Sequence, residues 1–171
     1  MNFKKIGLGL VLFFVVVFTA QLPSVQASET SVCGDISSDT VWDTSGSPYI
    51  ANCSLTIKPG ATLTIKPGAV IQFTYGGSLI VDGNLVAEGT EEHPITFTNN
   101  GSNLWFGIKV NPAASARFDH VIIEKTGYFN YMNGTYSLSI YSDNVTVSCL
   151  FAKIYRISVI FAQVGMLVQE P

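Results

Sequence analysis

Between positions 55 and 97 the apolar residues come in pairs, two positions apart, and the pairs recur every eight residues. Leu55/Ile57, Leu63/Ile65, Ile71/Phe73 and Leu79/Val81 hold this register, and Ile95/Phe97 rejoins it after one skipped slot. Residues two apart share one face of a β-strand, so each pair predicts a short strand with one face turned inward. The intervening Lys-Pro-Gly of 58–60 and 66–68 closes each strand with a turn, because Pro presets φ and Gly accepts bends that other residues resist. Strands this short cannot bury an apolar face alone and must stack on further copies.

Three such units make 24 residues. A three-sided coil of about that length sets Leu55 beneath Leu79 and Ile71 beneath Ile95, with parallel strands about 4.8 Å apart. Lys58, Lys66, Asp82 and Glu88 then mark outward turns. A β-sandwich or jelly roll of the same short strands also fits the spacing, but near-identical successive units favour stacked coils, which offer equivalent environments. Beyond Phe97 the rhythm loosens. Asn99–Asn103 reads as a loop, Ile108/Val110 as an inward pair, and Phe118, Val121 and Ile123 as one further strand. Residues 127–134 read as an outward polar-aromatic loop, followed by inward Leu138/Ile140 and Val145/Val147. The apolar stretch Val159–Val168 is expected to plug the open end of the solenoid, or to continue into coils of a longer protein; the second is the reading taken here.

The first 27 residues do not belong to this pattern. Lys4 and Lys5 precede fifteen uncharged residues, Ile6–Ala20, and Val25 and Ala27 offer small side chains before Ser28. This is the pattern of an export signal with cleavage after residue 27, and it is short for a membrane-spanning helix of about 20 apolar residues. Cleavage leaves 144 residues with seven basic and twelve acidic side chains, a net charge of −5. Scattered single cations on an acidic chain disfavour nucleic acid, whose phosphates call for clustered Lys and Arg. The expected organisation is a signal peptide over 1–27, an N-terminal cap and first strand over 28–54, and the solenoid over 55–171.

Export permits disulfides, and Cys33 and Cys53 are candidates to tie the N-terminal segment to the first regular coil. Cys149, within Val-Thr-Val-Ser-Cys, reads as a small interior hydrophobe. None of the three has zinc-like spacing. Asn52, Asn100, Asn133 and Asn144 head Asn-x-Ser/Thr sequons, usable where the host glycosylates.

The segments Val41–Tyr49, Leu63–Phe73, Gly76–Thr90 and His93–Phe97 resemble exported right-handed parallel β-helix proteins of bacteria and archaea, of the pectin-lyase-like superfold. Trp105-Phe-Gly-Ile108 is similar to their Trp-Gly-Gly-Ile element, with Phe106 in place of its first glycine. Phe118–Glu124 resembles the strand that follows. The resemblance spans about residues 41–150 and implies an all-β, right-handed parallel β-helix. It implies no single activity, since the family holds surface proteins, adhesin-like proteins and polysaccharide-active modules.

Candidate chemistry is sparse. Asp119, His120 and Glu124 form one compact group, but within a single strand only His120 and Glu124 share a face, and outward polar positions explain them more simply. His93, before Pro94, reads as a corner residue. Asp35, Asp39 and Asp43 lack the Asp-x-Asp-x-Asp-Gly order of a calcium loop. Trp42 and Trp105 read as corner packing, whereas Tyr75, Tyr128, Phe129 and Tyr131 are expected outside. Tyr128, Phe129 and Tyr131 are the glycan-binding candidates, since an exposed aromatic face stacks on a sugar ring. No catalytic residue, metal ligand or cofactor is assigned. The sequence predicts a non-catalytic, secreted or cell-envelope module whose partner is a surface protein or polysaccharide, with no stable membrane span after signal cleavage. The alternative is a polysaccharide-active or glycan-binding β-helix whose active face lies partly beyond this sequence.

Overall fold

The computed structural model describes residues 29–127, 138–153 and 158–159. The expected signal peptide, the loop aromatics Tyr128, Phe129 and Tyr131, the Asn133 sequon and most of Val159–Val168 lie outside them. The described residues form strands and no helix. β1 (Thr30–Ile36) precedes a first coil of β2 (Thr40–Trp42) and β3 (Tyr49–Ile57). The second coil is β4 (Thr62–Ile65), β5 (Val70–Phe73) and β6 (Leu79–Val81). The third is β7 (Asn84–Glu88), β8 (Ile95–Asn99) and β9 (Ile108–Val110). The fourth is β10 (Ser115–Asp119), β11 (Val121–Glu124) and β12 (Leu138–Ile140). β13 (Val145–Val147), β14 (Leu150–Lys153) and β15 (Ser158–Val159) stack on it.

Every ladder is parallel, which rules out the meander of a sandwich or jelly roll. The chain is a parallel β-solenoid of about four turns. Its strands form two sheets. One runs β13-β10-β7-β4-β2; the other is ten-stranded and centres on β3. Tyr49–Ala51 of β3 pair with β5, Leu55–Ile57 pair with β6, and β1 lies along its other edge, so β3 feeds two arms. β3 also runs through position 54, so the N-terminal segment and the solenoid share a strand.

Alternation places the paired apolar residues inside. Leu55, Leu79, Ile108 and Leu138 form one continuous ladder, and Ile57, Val81, Val110 and Ile140 another, all buried. Each such side chain gains about 1.5–3 kcal/mol on burial, but only because the coils above and below cover it. Sizes compensate across coils: Ala87 lies between Ile65 and Phe118, so a small residue makes room for a large one.

The coil is longer than the expected 24 residues and averages about 26. Leu55 does pair with Leu79, but Leu79 pairs with Ile108 and Ile108 with Leu138, steps of 29 and 30 residues. The expected match of Ile71 with Ile95 is displaced. Ile71 pairs with Phe97, and Ile95 with Val121. The turn between β7 and β8 takes up the surplus, and there Thr90 N donates to His93 O and His93 N to Thr90 Oγ1. The expected single strand through Phe118–Ile123 is two strands in different sheets, with His120 alone between them at φ 46°. Elsewhere glycine makes the sharp approach: at Gly83 a Cβ would collide with the carbonyl oxygens of Lys58 and Ala61 on the preceding coil.

Candidate functional site

Between the two arms of the larger sheet the coils turn one above another, and backbone hydrogen bonds step along this edge. Thr74 N donates to Ala51 O, Asn100 N to Phe73 O, Phe106 N to Gly77 O and Gly127 N to Trp105 O. The edge therefore comprises residues 52–54 of β3, the β5–β6 connection, the β8–β9 connection and the residues that follow β11.

Its outer surface is aromatic. Tyr75 is 72% exposed, and its ring centroid lies 6.4 Å from that of Phe106, with the planes at 68°. Phe106 packs over Gly76, whose φ of 78° suits glycine. Leu104, 41% exposed, lies against Gly127, where a Cβ would overlap it. The chain thus enters the predicted aromatic loop at the end of this row.

The support behind these side chains is buried and specific. Phe73 and Trp105 are fully buried and stack at 4.4 Å, 5° from parallel. Trp105 Nε1 donates to Glu124 O at 2.8 Å. Buried Asn99 donates from Nδ2 to Gly101 O at 2.6 Å and Asn103 O at 2.7 Å, pinning the loop that carries Leu104 and Phe106. Neutral polar groups complete the surface. Asn52 Nδ2 donates to Ser31 Oγ at 2.7 Å, and Ser78 Oγ to Ser54 Oγ at 3.1 Å. Cys33 of β1 is bonded to Cys53 of β3 beside them, with Cα atoms 5.2 Å apart.

The other candidates are dispersed. His120 does not share a strand face with Glu124, contrary to the single-strand reading, because the chain turns a corner at His120. Instead its Nδ1 lies 2.9 Å from Asp119 Oδ1. Glu124 accepts from Thr98 Oγ1 at 3.0 Å and lies 3.9 Å from Lys125 Nζ; Glu88 pairs with Arg117 at 3.0 Å. Asp35 pairs with Lys58, Asp39 accepts from Thr62 N, and Asp43 accepts from the Ser45 amide and hydroxyl, which hold its carboxyl below the ordinary range. Among the described residues no three His, Cys, Asp or Glu side chains are placed to hold a metal. Cys149, expected inside, is half-buried. The sequons at Asn52, Asn100 and Asn144 are exposed. Trp42, buried at its corner, stacks on Tyr49 at 4.6 Å.

The sequence does not single out Leu104, and it marks Phe106 only as replacing a glycine of the Trp-Gly-Gly-Ile element, not as a site residue. One signal was available: among the described residues the passes over this edge at 44–57, 67–81 and 94–108 lack Asp, Glu, Lys and Arg. Comparison of the chain with protein-family models, curated proteins and solved structures finds no match.

Proposed function

We propose that this chain is an exported, non-catalytic β-helix that presents the Tyr75–Phe106–Leu104 edge as an interaction surface at the cell envelope or outside it. The carrying observation is Tyr75: a large aromatic side chain, 72% exposed, held against Phe106 on a scaffold whose interior is packed in ladders. A folded chain gains little from so exposed a ring, whereas a partner that covers it removes apolar area from water. The Cys33–Cys53 bond supports export, since such bonds persist in oxidising compartments. Residues 1–27 supply the corresponding signal, and the resemblance over 41–150 supports a right-handed, three-sided helix of the pectin-lyase-like kind. Polysaccharide cleavage would need carboxylates converging on one bound sugar. Among the described residues Glu88 is paired with Arg117 and Glu124 with Thr98, so binding is the reading argued.

Co-sedimentation of the purified chain with cell-envelope and extracellular material tests this. The wild type is expected to sediment, Tyr75→Ala to lose most of that binding, and Val41→Ala, which removes an exposed side chain from β2 instead, to keep it. Equal sedimentation of all three would reject the edge as the surface.

A further inference from the structure

We infer that the ligand of this edge is an uncharged glycan. The inference rests on the edge being the interaction surface proposed above, and names the chemistry that surface recognises. Charged residues make up 12% of the chain, yet none falls in the three passes 44–57, 67–81 and 94–108. The solenoid stacks these passes along one edge, so the gaps in the charge pattern coincide in space. Charges instead populate the rest of the coil: Lys58 and Lys66 flank β4, Asp82 to Glu92 surround β7, and Arg117 and Asp119 lie in β10. Three charges border the edge: Glu124 and Lys125, which lie 3.9 Å from each other and carry no net charge as a pair, and Lys109, which lies beside Ile80 on β9 with its ammonium 5.5 Å from the Tyr141 ring centroid.

What the edge does offer are hydroxyls, amides and rings. Ser54, Ser78, Thr74 and Asn52 carry neutral groups, and hydroxyls both donate and accept, as do the hydroxyls of a sugar. Tyr75 and Phe106 supply apolar ring surface for the C–H face of a pyranose, and their planes, 68° apart, wall a step instead of a flat platform. Acidic glycans, phosphates and nucleic acids would require cations aimed at the ligand. A cationic polymer would gain from carboxylates beside the rings. Neither sign is supplied by the two connections that carry the rings, residues 74–78 and 100–107.

Affinity electrophoresis of the whole chain decides the matter, in gels containing neutral polysaccharides (β-glucan, xylan, mannan), acidic ones (polygalacturonate, alginate) or cationic chitosan. Retardation is expected in at least one neutral gel, equally at low and high ionic strength. Tyr75→Ala should weaken that retardation about tenfold, the loss of one stacking contact. Tyr75→Phe should keep most of it, and Val41→Ala all of it. Circular dichroism of each variant confirms folding. Retardation only by charged polymers, abolition by salt, or indifference to Tyr75→Ala overturns the assignment. If no neutral glycan retards the chain while Tyr75→Ala still abolishes envelope sedimentation, the interaction surface stands and its glycan ligand falls. If Tyr75→Ala changes neither measurement, both fall.

Discussion

Phe73 and Trp105 stack face to face in the interior, one coil apart, behind exposed Tyr75 and the half-buried Phe106 that it packs against. The inner stack fixes the positions from which the outer rings project, so edge and core are coupled through two adjacent stretches of backbone. Trp105→Ala removes a fully buried indole and leaves the Glu124 carbonyl without its donor, and it is expected to cost about 3–5 kcal/mol. Trp105→Phe keeps ring contact with Phe73 and should cost less. Urea unfolding of the three proteins measures the order; equal midpoints would show that the stack contributes nothing to the fold.

The disulfide acts at the opposite end of the same edge. Among the described residues β1 pairs with β3 alone, and Cys33–Cys53 is the covalent tie between them. Reduction is expected to lower stability by about 2–4 kcal/mol. Hydrogen exchange should locate the effect, with amides of residues 30–36 losing protection first and those of β7 and β10 last. Uniform loss along the chain would contradict a local tie. Peptide mapping under non-reducing conditions should leave Cys149 alkylatable.

Asp43 gives a pH-dependent reading of the first corner. The Ser45 hydroxyl and amide favour its ionised form, so the folded carboxyl titrates below the unfolded one. The sign follows: this contribution is present above the ordinary carboxylate range and is lost as pH falls through the lowered folded value. Asp43 is exposed, so its effect on stability should be small. Ser45→Ala removes the larger of the two contacts, and the Asp43 titration followed by carboxyl NMR should move upward. An unmoved midpoint would mean that the hydroxyl contact does not form in solution.

Legibility of the fold depended on where surplus residues enter each coil. Leu55 over Leu79 was readable because strict eight-residue spacing connects them, with Pro and Gly marking each turn. Ile71 over Ile95 was not, since the turn around His93 takes up residues without altering the strand pattern on either side. The same physics hid the site. Tyr75 is exposed by its place beside Gly76 and Gly77, which the sequence displays. Its contact with Phe106 depends on how Asn99 folds residues 100–103 back, and local pattern carries no such information. The absence of charge along the edge was written in the sequence, but only the stacking of coils turns three separate gaps into one surface.

His120 marks the corner that the sequence disguised most fully. A single residue connects β10 to β11, and its φ of 46° is one that glycine or asparagine adopts more readily than most side chains. Ile95 N donates to His120 O and Gly89 N to Asp119 O, so the neighbouring coil holds this backbone in place. Asn tolerates the left-handed region through its short polar side chain, so His120→Asn should change stability by less than about 1 kcal/mol. His120→Val places a β-branched side chain where it is most strained, and about 1–2 kcal/mol should be lost. Asp119→Ala separates the alternative cause. If the imidazole beside Asp119 were what holds the corner, Asp119→Ala and His120→Asn would destabilise alike, whereas a backbone origin leaves both near the wild type. Thermal unfolding of the three variants distinguishes these outcomes, and a His120→Val protein as stable as the wild type would show that the corner does not keep its left-handed residue in solution.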